Sequence, residues 1–89
     1  MRSKIFDMIE AGDLARLRVA VTTTGALESR NAIGWTPLIK AVSEDRHEIV
    51  SFLVDAGADR GARDDLDLTA LDHAVSDARS KAMIDRLTR

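Results

Sequence analysis

The sequence contains no cysteine and no tyrosine, and only 3 % of its residues are aromatic. Without cysteine there is neither a disulfide framework nor a thiolate zinc site. The aromatics are Phe6, Trp35 and Phe52. The remaining apolar mass is Ala, Leu, Ile and Val, which suits closely stacked helices better than a sandwich or barrel. Neither charge sign dominates: 13 Lys and Arg face 15 Asp and Glu, for a net charge of −2. Phosphate neutralisation needs a clustered positive surface, so nucleic acid is not an expected partner. The longest uncharged stretches have nine residues, and one of them, Val19 to Leu27, holds three threonines and a glycine. A membrane helix needs about 20 apolar residues, so no membrane partner is expected either. Arg2 and Lys4 begin like a secretion signal, but Asp7 and Glu10 interrupt the apolar part that would follow. The expectation is a soluble, cytoplasmic protein.

What is present is self-similarity. Residues 31–43 laid over 64–76 place Thr36 on Thr69, Leu38 on Leu71, Ala41 on Ala74, Val42 on Val75 and Ser43 on Ser76. Asn31 falls on Asp64, Ile33 on Leu66 and Arg46 on Arg79, all at an offset of 33. A period in this range marks units that cannot each bury an apolar face alone and therefore stack on their neighbours. At 89 residues the chain is one small domain. Such a domain buries about 60–65 % of its unfolded surface and is stable by a few kcal/mol.

Each unit reads as turn, helix, tight turn, helix. In the middle unit Thr36 caps the first helix and Pro37 takes its first position, where no backbone donor is needed. In the last unit Thr69 caps, and Asp72 three residues on completes a capping box. The first helix of the middle unit, with Leu38, Ile39, Ala41 and Val42 on its apolar side, ends near Glu44 and is followed by a second from about His47 to Asp55, closed by Gly57. Residues 58–68 are polar and read as an extended loop or hairpin finger. In the first unit Ile5, Phe6, Met8 and Ile9 form one apolar face, and Gly12 and Asp13 mark a turn. Leu14, Leu17, Val19 and Val21 then form a second helix that Gly25 ends. The last unit keeps helices at 70–77 and 80–87. The second of these carries a largely polar outer face, as a terminal unit of a stack requires.

These residues resemble the ankyrin repeat. The fullest copy is 31–63. There Gly34, Thr36, Pro37, Leu38 and Ala41 match the first-helix motif, and Glu48, Ile49, Val50, Leu53, Gly57, Ala58, Asp59 and Ala62 match the second helix and turn. The resemblance implies an all-α solenoid of about three helix-turn-helix repeats with extended finger loops, at roughly 1–30, 31–63 and 64–89. It also implies a protein-binding scaffold that uses its fingertips and the concave face of the first helices. The sequence departs from the pattern in three places. The motif histidine is replaced by Ile39 and Asp72, so the hydrogen bonds it makes between units are absent or altered. The glycine between the two helices is replaced by Asp45 and Ala78. The first unit has one extra residue between Gly12 and Gly25, which points to a longer or bulged second helix.

Candidate partner-binding residues follow from this layout. Ala32, Ile33, Asp65 and Leu66 fall on successive fingertips, where Ile33 and Leu66 make an apolar contact patch or are ordinary isolated surface residues. Trp35 at the base of the first finger is either an interface anchor or local packing. Ser43, Glu44, Ser76 and Asp77, with Glu10 and Ala11 as their first-unit equivalents, fall at the ends of the first helices. The three carboxylates among them suggest an acidic groove or a solvated helix end.

No catalytic site, cofactor or metal is expected. Asp64, Asp65 and Asp67 lack the glycine and glutamate of a calcium loop. Asn31 and Asp64 suit turns closed by side-chain-to-backbone bonds instead. His73 beside Asp72 cannot be oriented by it on one helix, and His73 with Asp77 is a candidate i, i+4 surface pair. The leading expectation is a monomeric adaptor or regulator that binds another protein. The alternatives are an inhibitor or immunity-type protein that blocks an enzyme, and a structural subunit that self-associates as a homodimer.

Overall fold

The computed structural model describes residues 4–22 and 24–88, and these form seven helices: α1 (Lys4–Ala11), α2 (Leu14–Ala20), α3 (Thr24–Leu27), α4 (Pro37–Ser43), α5 (His47–Asp55), α6 (Ala70–Ser76) and α7 (Lys81–Thr88). No strand occurs among the described residues. The first helices α1, α4 and α6 stack side by side with α4 in the centre. Each pairs with the second helix of its own unit, and α5 packs along α7 in the second layer.

Local chemistry starts the helices where the sequence places them. Thr36 Oγ1 accepts the Ile39 amide at 3.3 Å ahead of Pro37. Thr69 and Asp72 cap reciprocally: Thr69 Oγ1 accepts the Asp72 amide at 3.2 Å, and Asp72 Oδ2 accepts the Thr69 amide at 2.9 Å. Asp13 caps α2 by accepting the Arg16 amide at 3.0 Å. Stacking then supplies the stability that helices of seven to nine residues lack in isolation. The core runs through all three units as Ile9, Leu17, Leu27, Leu38, Ile39, Ala41, Val42, Ile49, Val50, Leu53, Ala70, Ala74, Met83 and Leu87. Half of these belong to the middle unit, which is covered on both sides.

The first unit differs from its sequence reading. α2 is short and ends when the Val21 amide bonds to Leu17 O at 2.9 Å, with Val21 itself outside helical geometry. Gly25 therefore does not end α2 but lies inside α3, a separate single turn. Two causes are visible. β-branched Val19, Val21 and Thr22 weaken helix continuation. The extra turn also carries Leu27 into the core, where it is 2 % exposed. Val19, expected on the apolar side, is 76 % exposed. It stands two residues from the buried Leu17, about 200° around the helix.

The three units share one tight turn between their helices. After α1, α4 and α6 the chain takes the left-handed conformation at Gly12 (φ 73°), Asp45 (φ 57°) and Ala78 (φ 55°). In each case the next amide reaches back five residues: Asp13 to Met8 O at 2.9 Å, Arg46 to Ala41 O at 2.9 Å, and Arg79 to Ala74 O at 2.9 Å. This is the Schellman closure, which glycine enters without strain and alanine at a cost of about 1 kcal/mol. Ala78 is exposed and its side chain has no packing to lose. Ala78→Gly is therefore expected to raise stability by about 1 kcal/mol and the melting temperature by about 4–8 °C in a thermal scan followed by circular dichroism.

Candidate functional site

The fingers are two copies of one five-residue turn, 31–35 and 64–68. The Asn31 amide donates to Trp35 O at 3.0 Å, and the Asp64 amide to Leu68 O at 2.9 Å. Within each turn one side-chain oxygen collects two backbone amides. Asn31 Oδ1 accepts from Ile33 at 3.1 Å and from Trp35 at 2.9 Å. Asp64 Oδ1 accepts from Leu66 and Leu68, both at 2.9 Å. The turn-forming role expected for Asn31 and Asp64 is the geometry observed. Gly34 (φ 78°) and Asp67 (φ 65°) hold equivalent left-handed positions. A side chain at Gly34 would collide with Asp65, so the second finger rests on the backbone of the first.

This clamping pushes Ala32, Ile33, Asp65 and Leu66 outward. All four are exposed, Ile33 by 53 % and Leu66 by 79 %. Trp35 lies beneath them, half-buried against the core. Its ring meets the His73 imidazole edge-to-face, with centroids 5.3 Å apart and planes at 76°. His73 does not pair with Asp77 as expected. Its Nε2 lies 2.8 Å from Asp64 Oδ2. The side chains of His73 and Asp64 are 13 % and 1 % exposed. The buried carboxylate of the second finger is a stronger acceptor than a solvated one on the helix surface, and α6 presents His73 toward it. Trp35, His73 and Asp64 thus join the first finger, α6 and the second finger. The displaced histidine serves a contact between units that the missing motif residue does not make.

The second set of candidates stands at the other end of the first helices, about 10 Å away along the seven residues of α4. Ser43 and Glu44 are half-buried there, while Ser76, Asp77, Glu10 and Ala11 are exposed. The structure therefore does not gather the two sets into one cluster. Nor is this end acidic, because cations accompany the carboxylates. Lys40 Nζ lies 3.0 Å from Glu44, and Arg79 lies 3.9 Å from both Asp45 and Asp77.

Arginines are the residues that sequence reasoning missed. Arg79 donates to Val42 O at 3.0 Å and to Ser43 O at 2.7 Å, capping the carbonyl end of α4 from the next unit. Arg46 does the same to Glu10 O at the end of α1. At the finger bases Arg30 donates to Gly34 O at 2.9 Å and Arg63 to Asp67 O at 3.0 Å, and Arg30 also reaches Arg63 O. The signal was present in the 33-residue offset of Arg30 from Arg63 and of Arg46 from Arg79. The sequence alone did not show which carbonyls they meet.

Asp64 is the electrostatic centre of the fingers. Burial raises its pKa, but the Leu68 amide, the His73 ring and the Leu66 amide together outweigh this and hold the carboxyl below its ordinary range. Its contribution to stability is present above the unfolded value near 3.9 and is lost as the pH falls through the lower folded value. Asp72, with its backbone bond from Thr69, is lowered as well. The Asp64→Asn variant isolates the first effect, since Asn31 shows that a carboxamide makes the same turn. It should cost about 1 kcal/mol in urea unfolding at pH 7. That difference should shrink as the pH falls through the lowered folded value, because the wild-type carboxyl then becomes protonated too.

The comparison with known families agrees with this geometry. A family model described as ankyrin repeats (three copies) matches residues 7–88. A search of the curated proteins finds no matching relative. With the match running through all three units and an all-helical stack to accompany it, the chain belongs to the ankyrin-repeat family, whose members are generally protein–protein interaction modules.

Proposed function

We propose that the chain is a non-catalytic adaptor or regulator that holds one partner protein, with contact centred on the fingertips Ala32, Ile33, Asp65 and Leu66. The observation that carries this reading is the exposure of Ile33 and Leu66 on turns held by the Ile33, Trp35, Leu66 and Leu68 amides on Asn31 and Asp64. An apolar side chain on a pre-ordered loop loses little conformational freedom on binding. The ends of the first helices, with Ser43, Glu44, Ser76 and Asp77, extend the contact as a mixed-charge rim. In this role the protein acts in the cytoplasm and needs no cofactor.

Self-association is the second reading, and one observation favours it. Val75 is 61 % exposed on α6, whereas Val42, at the equivalent place on α4, is fully buried by the following unit. A second copy would cover that end. Light scattering separates the two readings, since a monomer mass independent of concentration rules out the dimer.

The fingertips are the cleaner place to test binding, because Trp35 packs on His73 and its removal mixes folding with recognition. The double variant Ile33→Asp/Leu66→Asp should stay within about 0.5 kcal/mol of wild type in stability. It should lose at least about tenfold in affinity for the partner that the wild type captures from a source-cell lysate, measured by calorimetry with the purified partner. Unchanged affinity would place the contact elsewhere.

A further inference from the structure

The second-layer helices are not evenly packed. α5 lies along α7, whereas α2 leans on α1 and scarcely meets α5. The gap is a groove of about 620 Å³ on the side that carries the second helices, lined by Leu14 and Arg18 of α2 and by His47, Glu48, Phe52 and Asp55 of α5. A smaller hollow of about 260 Å³ continues it past Leu14, His47 and Glu48 toward Gly12. The volume falls within the range of ligand sites. The short α2 of the first unit opens it, because the chain turns away at Val21 into α3 rather than continuing beside α5.

The lining has a definite chemical preference. Glu48, Phe52 and Asp55 stand at i, i+4 and i+7 on α5, which sets two carboxylates either side of an aromatic ring on one face. The ring already carries a cation: the Arg18 guanidinium lies 5.3 Å from the Phe52 centroid. Among the described residues Arg18 pairs with neither carboxylate and no cation pairs with Glu48, while Asp55 is met by Arg86 at 2.6 Å. The groove therefore has a cation-accepting ring, one carboxylate without a salt bridge and one paired with Arg86, over a floor that Leu14 makes apolar.

We propose that this groove is a second binding site, separate from the fingertips, for a basic peptide segment. An arginine or lysine of the segment takes the face of Phe52 in place of Arg18, with its charge between Glu48 and Asp55, and an adjoining aliphatic side chain lies against Leu14. Arg18 is then a competitor that screens the ring in the free protein. This assigns it the opposite role from an anchor for an acidic partner.

The probe is the peptide acetyl-Ala-Arg-Leu-Arg-Ala-amide, titrated into isotope-labelled protein and followed by amide chemical shifts. Its glutamate counterpart, acetyl-Ala-Glu-Leu-Glu-Ala-amide, is the control. Saturable shifts confined to Leu14, Arg18 and residues 47–55 are expected with the arginine peptide alone. Glu48→Lys should weaken that binding at least about fivefold, and Arg18→Ala should strengthen it about two- to fivefold. Both positions are exposed, so the variants are expected to fold, and circular dichroism checks this. Ile33→Asp/Leu66→Asp should leave the titration unchanged, which separates failure of this site from failure of the fingertip reading. The proposal is overturned if the shifts do not saturate, if they map to the fingers, if the glutamate peptide produces them equally, or if Arg18→Ala weakens binding.

Discussion

Everything in this fold depends on the fact that a pair of helices seven and nine residues long cannot cover its own apolar face. The middle unit shows the requirement met: Leu38, Ile39, Ala41, Val42, Ile49, Val50 and Leu53 are each 2 % exposed or less. Val42 and Val75 show what the neighbour contributes. They are the same residue at the same place in successive units, and one is fully buried while the other is 61 % exposed. At about 25 cal/mol per Å² of apolar surface removed from water, such differences summed over one interface are as large as the stability of a small domain.

Polar chemistry fixes how the units sit on one another once apolar burial has brought them together. Arginines from one unit satisfy the carbonyl groups that end the first helix of the unit before, at Glu10 O and at Val42 and Ser43 O. Asn31 and Asp64 each hold a finger with one oxygen, and Asp64 uses its other oxygen to take His73 from α6. The fingers therefore inherit the order of the stack. Their exposed apolar tips are consequences of that order, because the turn leaves Ile33 and Leu66 nowhere to point but outward.

Much of this was legible from the residues. The 33-residue offset, Thr36 and Thr69 as caps, α5 at His47–Asp55 and the turn roles of Asn31 and Asp64 follow from periodicity and local propensity. The departures have local and long-range causes. The break after Val21 follows β-branched Val19, Val21 and Thr22 together with the burial of Leu27. The switch of His73 from Asp77 to Asp64 and the reach of Arg46 and Arg79 to carbonyls of the preceding unit depend on contacts 9 to 37 residues apart along the chain, beyond the reach of a helical or turn pattern. The αL conformation at Asp45 and Ala78 was signalled by their place in the repeat, although neither residue type announces it.

The fingertips are ordered platforms and not loose loops. Native-state hydrogen exchange of the Ile33, Trp35, Leu66 and Leu68 amides tests it most directly, since each donates to a side-chain oxygen at the base of its finger. If the fingers are built into the stack, these four amides exchange slowly and are released together with the α6 amides, and Asp64→Asn or lowered pH speeds Leu66 and Leu68 first. Exchange at the rate of an unstructured peptide, while α4 stays protected, contradicts this and leaves Ile33 and Leu66 on mobile loops.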